Sequence, residues 1–137
     1  MPVINELIRE EGNGTISFGN YNLDTKSKVS DFEYNGDLYK VKTFKEITKL
    51  ERNGIFVYES VPGTAVFDFL ATENEVNFVA EGLGDTQVTL ELEAEKEYNI
   101  YINEVNVGKV KTNLGGKLMF SLELENHHSS AVKIVKL

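Results

Sequence analysis

Thr86-Gln-Val-Thr-Leu-Glu-Leu-Glu93 and Leu118-Met-Phe-Ser-Leu-Glu-Leu124 decide the fold. In the first, Val88, Leu90 and Leu92 share one face and Glu91 and Glu93 take the other. In the second, Leu118, Phe120, Leu122 and Leu124 align against Ser121 and Glu123. A period of two with one apolar side is the signature of a strand that buries one face and wets the other. Five further runs share this character: Ala65–Leu70, Val76–Ala80, Tyr98–Ile102, Val107–Lys111 and Val132–Val135. The separators are rich in Gly, Asn and Asp. Seven short strands at this spacing predict an Ig-like antiparallel β-sandwich over residues 63–137, without the Cys…Trp…Cys pattern of true immunoglobulin domains.

Upstream, three Asn-Gly dipeptides (Asn13-Gly14, Asn35-Gly36 and Asn53-Gly54) interrupt strand-like segments. Both residues tolerate the positive φ of a type I′ turn, so three hairpins are expected: Ile4–Arg9 with Thr15–Phe18, Lys28–Tyr34 with Leu38–Lys42, and Ile47–Arg52 with Ile55–Glu59. Thr43-Phe-Lys-Glu46 also has the form of a capping box, with Phe44, Ile47 and Leu50 at helical spacing. The strand demanded upstream of Asn53-Gly54 favours the hairpin. Pro62-Gly63 is the strongest breakpoint, and it divides the chain into a hairpin-rich subdomain of residues 1–62 and a sandwich of residues 63–137.

The 137 residues carry 14 basic and 22 acidic side chains, a formal charge of −8, and no cysteine. Disulfides, thiolate metal sites and thiol nucleophiles are thereby excluded. An acidic chain with two arginines repels phosphate backbones on average, so no nucleic-acid partner is expected. The lysines between Lys26 and Lys49 are interleaved with Asp24, Asp31, Glu33, Asp37 and Glu46, which reads as a mixed-charge solvated face. The start of the sequence has no secretory-signal pattern, which points to the cytoplasm, and no stretch is long and apolar enough for membrane insertion. Asn13-Gly14-Thr15 has the form of a glycosylation acceptor and reads here as a turn.

The candidate chemical sites are few. His127-His128 are the only histidines, and neighbours on an extended strand point to opposite faces, so neither a metal site nor an imidazole-based catalytic site is expected. Glu91, Glu93, Glu95 and Glu97, at period two, would form a row of carboxylates protecting a strand edge. Gly115-Gly116-Lys117 lacks the first glycine and the final hydroxyl of a phosphate loop and reads as a tight corner. No cofactor motif is present. Six tyrosines are the remaining lead, and Tyr58, Tyr98 and Tyr101 are the candidate contacts for a glycan or a protein partner, with Tyr98 and Tyr101 on opposite faces of one strand.

The pattern Leu90-Glu-Leu-Glu-Ala-Glu-Lys-Glu-Tyr98-Asn-Ile-Tyr101-Ile, with Val107-Gly108, Gly116-Lys-Leu118-Met-Phe120-Ser and Val132-Lys-Ile134, resembles the non-catalytic β-sandwich domains of bacterial polysaccharide lyases and glycosidases. The stretch Tyr39-Lys-Val-Lys-Thr-Phe-Lys-Glu-Ile47 through Tyr58-Glu-Ser-Val-Pro-Gly-Thr64 is similar to small bacterial proteins labelled endosialidase. Sialidases hold the substrate carboxylate with three arginines and carry Asp-box motifs. With two arginines and no tryptophan, this sequence receives no catalytic residue from that resemblance. The expectation is a non-enzymatic structural or protein-interaction module, self-associating or engaging a protein partner, with carbohydrate binding as the alternative.

Overall fold

The structure is a computed structural model that describes residues 3–125 and 128–137. These form thirteen strands. In chain order they are β1 (Ile8–Glu10), β2 (Ile16–Phe18), β3 (Ser27–Tyr34), β4 (Asp37–Phe44), β5 (Ile47–Arg52), β6 (Ile55–Val61), β7 (Ala65–Ala71), β8 (Glu75–Glu81), β9 (Thr86–Glu91), β10 (Glu97–Ile102), β11 (Val105–Lys111), β12 (Lys117–Leu122) and β13 (Ser129–Lys136). They pair into a seven-stranded sheet ordered β1-β2-β7-β8-β13-β10-β11 and a six-stranded sheet ordered β12-β9-β6-β5-β4-β3, antiparallel throughout. The chain is an all-β sandwich of two antiparallel sheets.

The alternation in sequence becomes the inside and outside of this sandwich. In β9, Thr86, Val88 and Leu90 are buried and Gln87, Thr89 and Glu91 face outward; in β12 Leu118 and Leu122 point inward. One core runs from Ile8 and Phe18 through Val41, Leu50 and Tyr58 to Ile100, Leu122 and Ile134. Its centre is a group of rings: Phe18, Phe69 and Phe78 surround Tyr58, with edge-on centroid separations of 5.4, 6.3 and 5.6 Å respectively. Edge-to-face packing sets the positive rim of one ring against the negative face of the next.

The halves share this architecture differently from the expected division at Pro62. Of the seven strands after Pro62, five enter the larger sheet and only β9 and β12 enter the other. Residues 63–137 alone would leave most of a five-stranded apolar face uncovered. Strands β3 to β6 cover it by adding to β9, and β2 adds to β7. Two subdomains thus merge into one sandwich, because each half leaves unpaired edges and an open face that the other satisfies.

Turn chemistry explains the hairpins. Asn35-Gly36 and Asn53-Gly54 hold φ of 56° and 86°, and 52° and 79°, as a type I′ turn demands. Asn103-Glu104 makes the same turn between β10 and β11, with φ of 51° and 71°. The β1–β2 connection departs from the expectation. Gly12 and Gly14, but not Asn13, take positive φ, and the Asn13 Oδ1 accepts from the Thr15 amide and hydroxyl across a wider loop. At Thr43-Phe-Lys-Glu46 the hairpin forms, with Phe44 opposite Ile47. The Thr43 hydroxyl, which a helix would need as its cap, instead accepts from the Asn20 amide at 2.9 Å and pairs with Thr48 Oγ1 at 2.8 Å.

That pair begins a chain of buried hydroxyls where the two sheets meet. Thr48 Oγ1 donates to the Thr64 carbonyl at 2.7 Å and accepts from the Thr64 amide at 3.1 Å. Thr64 Oγ1 in turn lies 2.8 Å from both Tyr58 Oη and Ser60 Oγ. Among the described residues, no buried side-chain polar atom is left without a partner. A satisfied buried network holds a unique arrangement, whereas a half-satisfied one destabilises it.

Candidate functional site: an open seam between two edge strands

Of the three tyrosines singled out from sequence, two are not surface groups. Tyr58 is 0% exposed at the centre of the core. Burial pushes its phenol up to about 12, and the hydroxyls of Thr64 and Ser60 moderate the shift. Tyr98 is buried as well, its hydroxyl accepting from the Glu93 amide at 3.2 Å. Their apolar bodies fill the interior while their hydroxyls satisfy internal partners, so neither can meet a ligand. Tyr101 points the other way, as its position on the strand predicts, and is half-buried on the outer face of the larger sheet.

There it borders a groove of about 700 Å³ with Asp68, Asn77, Glu104 and Lys133 as its polar groups and Val79, Ala131 and Val135 as its floor. β-bulges flank the groove, one between Phe67 and Leu70, where Asp68 has φ 56°, and one between Ile100 and Tyr101. Bulges add local twist, and the sheet curls around the groove between them.

The expected acidic row does not form. Strand β9 ends at Glu91, the chain turns through Glu95 at φ 55°, and Glu97 opens β10. Glu91 meets Lys117 Nζ at 2.7 Å. Glu93 meets Lys136 Nζ at 2.7 Å, and that ammonium holds the Glu93 carboxyl below its ordinary range. His127 lies outside the described residues, and His128 is exposed with its amide donating to the Glu125 carbonyl. Among the described residues no three His, Asp or Glu side chains converge on a cation position. Gly116 makes the corner expected of it, at φ 76° beneath the Leu92 carbonyl, with Leu92 N donating to Gly116 O at 2.7 Å.

A second open surface is one that residue types did not advertise. Strand β1 lies against β3 at one side of the sandwich, and counted from there the smaller sheet is one strand short at the other. The larger sheet ends in β11 and the smaller in β12, and by that count no strand of the described residues stands opposite β11. Val105 and Val107 are consequently 61% and 55% exposed. Between the edges lies a seam of about 520 Å³ walled by Ile102, Val107, Val110 and Phe120, with Ser121, Glu123 and Ser130 at its rim. Among the described residues, strand β11 pairs only with β10, and β12 only with β9. Each presents an open row of backbone donors and acceptors beside apolar side chains.

The chain matches no known protein family, no curated protein and no solved structure. Among the described residues no helix is long and apolar enough to cross a membrane.

Proposed function

We propose that the chain is a non-catalytic protein-interaction module that takes an extended segment of a partner protein into the seam between β11 and β12. The observation that carries this reading is the count of strands: seven against six, with the inner face of β11 left uncovered. A seventh strand added beside β12 lies beneath β11, bonds to an open edge and covers Val107, Val110 and Phe120. Strand addition of this kind draws affinity from main-chain hydrogen bonds and specificity from pockets for alternate side chains. The preferred segment therefore alternates apolar with polar residues. Lys109 and Lys111 on β11 discourage indiscriminate pairing, including with a second copy.

The test is selection from a displayed library of random nine-residue peptides. Enriched sequences are expected to show a period-two apolar pattern and to protect β11 and β12 amides from hydrogen exchange. Val107→Asp, at an exposed position, is expected to leave the melting temperature within a few degrees while weakening the selected peptides by about tenfold or more. Enrichment without alternation, or binding indifferent to Val107→Asp, overturns the reading.

A second reading, carbohydrate binding, rests on the Tyr101 groove, where one half-exposed ring stands among carboxylate, amide and ammonium groups. Binding of neutral glycans on an array that disappears in Tyr101→Ala, with the seam variant unaffected, is the expected result for that function. Silence of the array removes it.

A further inference from the structure

We propose that the outer face of the six-stranded sheet is a binding site for a linear carboxylate-bearing polysaccharide, laid across the strands along a row of lysines. Strand register creates the row. Lys28 stands opposite Lys42, and Lys42 stands opposite Lys49. Since Val41, Thr48 and Leu50 are buried, all three ammonium groups project outward. Adjacent strands lie about 4.8 Å apart, so three like charges fall within roughly 10 Å. Lys26 and Lys40 flank them on the same face.

Like charges directly across a sheet destabilise it. On a chain of charge −8 carboxylates are plentiful, and Glu51 and Glu59 stand opposite Lys40 and Lys49 in the register, yet of the lysines on this face beside them only Lys49 closes on one. Lys45, Lys96, Lys117, Lys133 and Lys136 each reach a carboxylate. Among the described residues, Lys26, Lys28, Lys40 and Lys42 reach none within 4.0 Å; Lys49 alone of the row does, meeting Glu51 at 3.5 Å. Of the acids expected to interleave, Asp24 pairs with Lys45 and Asp37 accepts from the Asn53 side-chain amide, while Asp31, Glu33 and Glu46 reach no lysine of the row within 4.0 Å.

The surroundings select the polymer. Phe44 and Phe56 face outward, but ammonium groups already cover their rings: Lys26 stands 5.9 Å from the Phe44 centroid, and Lys117 and Lys49 stand 3.9 and 5.9 Å from that of Phe56. Bases have no free ring to stack on, and neither arginine of the chain joins the row to grip phosphate in bidentate fashion. Glu51 and Glu59 border the row, so a broad anionic membrane would press against like charge where a narrow chain would not. Beside the row, the half-buried Ile47 offers an apolar surface to the C–H face of a sugar ring.

This inference is independent of the seam. In affinity electrophoresis the chain is expected to be retarded by polygalacturonate and not by neutral dextran, with retardation falling roughly tenfold or more between 50 and 200 mM salt, as release of counterions from about three contacts requires. The triple variant Lys28→Gln, Lys42→Gln, Lys49→Gln is expected to lose the retardation and to melt no lower than the parent, while Lys109→Gln, Lys111→Gln keeps it. Retention by the triple variant, indifference to polygalacturonate, or equal or tighter binding of oligothymidylate, polyglutamate or phosphatidylserine vesicles overturns the proposal.

Discussion

Gly63→Ala is expected to destabilise the fold by about 3 kcal/mol or more, read as a fall in the urea midpoint at unchanged slope. The residue lies at the join between the halves, its amide donating to the Lys45 carbonyl at 3.1 Å. An added Cβ would fall well inside the contact shell of the Phe44 carbonyl oxygen, with Thr48 Oγ1 at 3.2 Å and Ile47 C at 3.3 Å behind it. The obstacle is backbone in a two-residue turn and cannot rotate aside. Gly19→Ala would crowd the Thr64 carbonyl oxygen at φ 102°, and is expected to cost as much. Gly36→Ala separates crowding from backbone conformation. Its φ is 86° but nothing lies within 4 Å, so about 1 kcal/mol is expected.

Tyr58→Ala is expected to cost about 3–5 kcal/mol, the range for deleting a fully buried ring. Tyr58→Phe preserves the ring packing with Phe18, Phe69 and Phe78 and removes only the bond to Thr64 Oγ1, which keeps Ser60; about 1 kcal/mol is expected. The two variants also separate at high pH. The Tyr58 phenol is held at about 12 in the folded chain against an ordinary 10.0, so ionisation is resisted by the fold. Its contribution is fully present below pH 10 and is lost as pH rises through the folded value. The parent should therefore lose stability between about pH 10 and pH 12, and Tyr58→Phe should show a shallower loss over that window. Equal slopes would mean that the alkaline transition lies in another group, such as Tyr21, whose titration burial and the Glu81 charge also raise.

The strands and turns were legible because their determinants are local. Val88, Leu90 and Leu92 state their face by spacing alone, and Asn35-Gly36 and Asn53-Gly54 state their turns by the φ they tolerate. All seven runs after Pro62 are strands, and each Asn-Gly dipeptide lies between paired ones. Sheet membership was not legible. Whether β9 joins β6 or a strand nearer in sequence depends on which apolar face needs covering, a property of the assembled layers. For the same reason the tyrosines misled: Tyr58 and Tyr98 occupy inward positions of strands whose inward side no motif declares. Val107-Gly-Lys-Val-Lys111 looked like any other strand, and only the missing seventh position opposite β11 reveals its exposure. The lysine row needed register as well, since Lys28, Lys42 and Lys49 are distant in sequence.

The placement of β13 has a consequence for how the molecule assembles. It is the last of the thirteen strands in chain order, yet it lies between β8 and β10. A ribosome delivering the chain from its N-terminus presents β8 and β10 well before the strand that joins them. Until β13 emerges, two inner strand edges face solvent and the larger sheet exists as separate pieces. Closure comes late, through contacts between segments far apart in sequence, and such closure is slow and exposed to mispairing. A nascent chain arrested before Ser129 would offer two further open edges to a neighbour, and the final insertion turns those pieces into one continuous sheet.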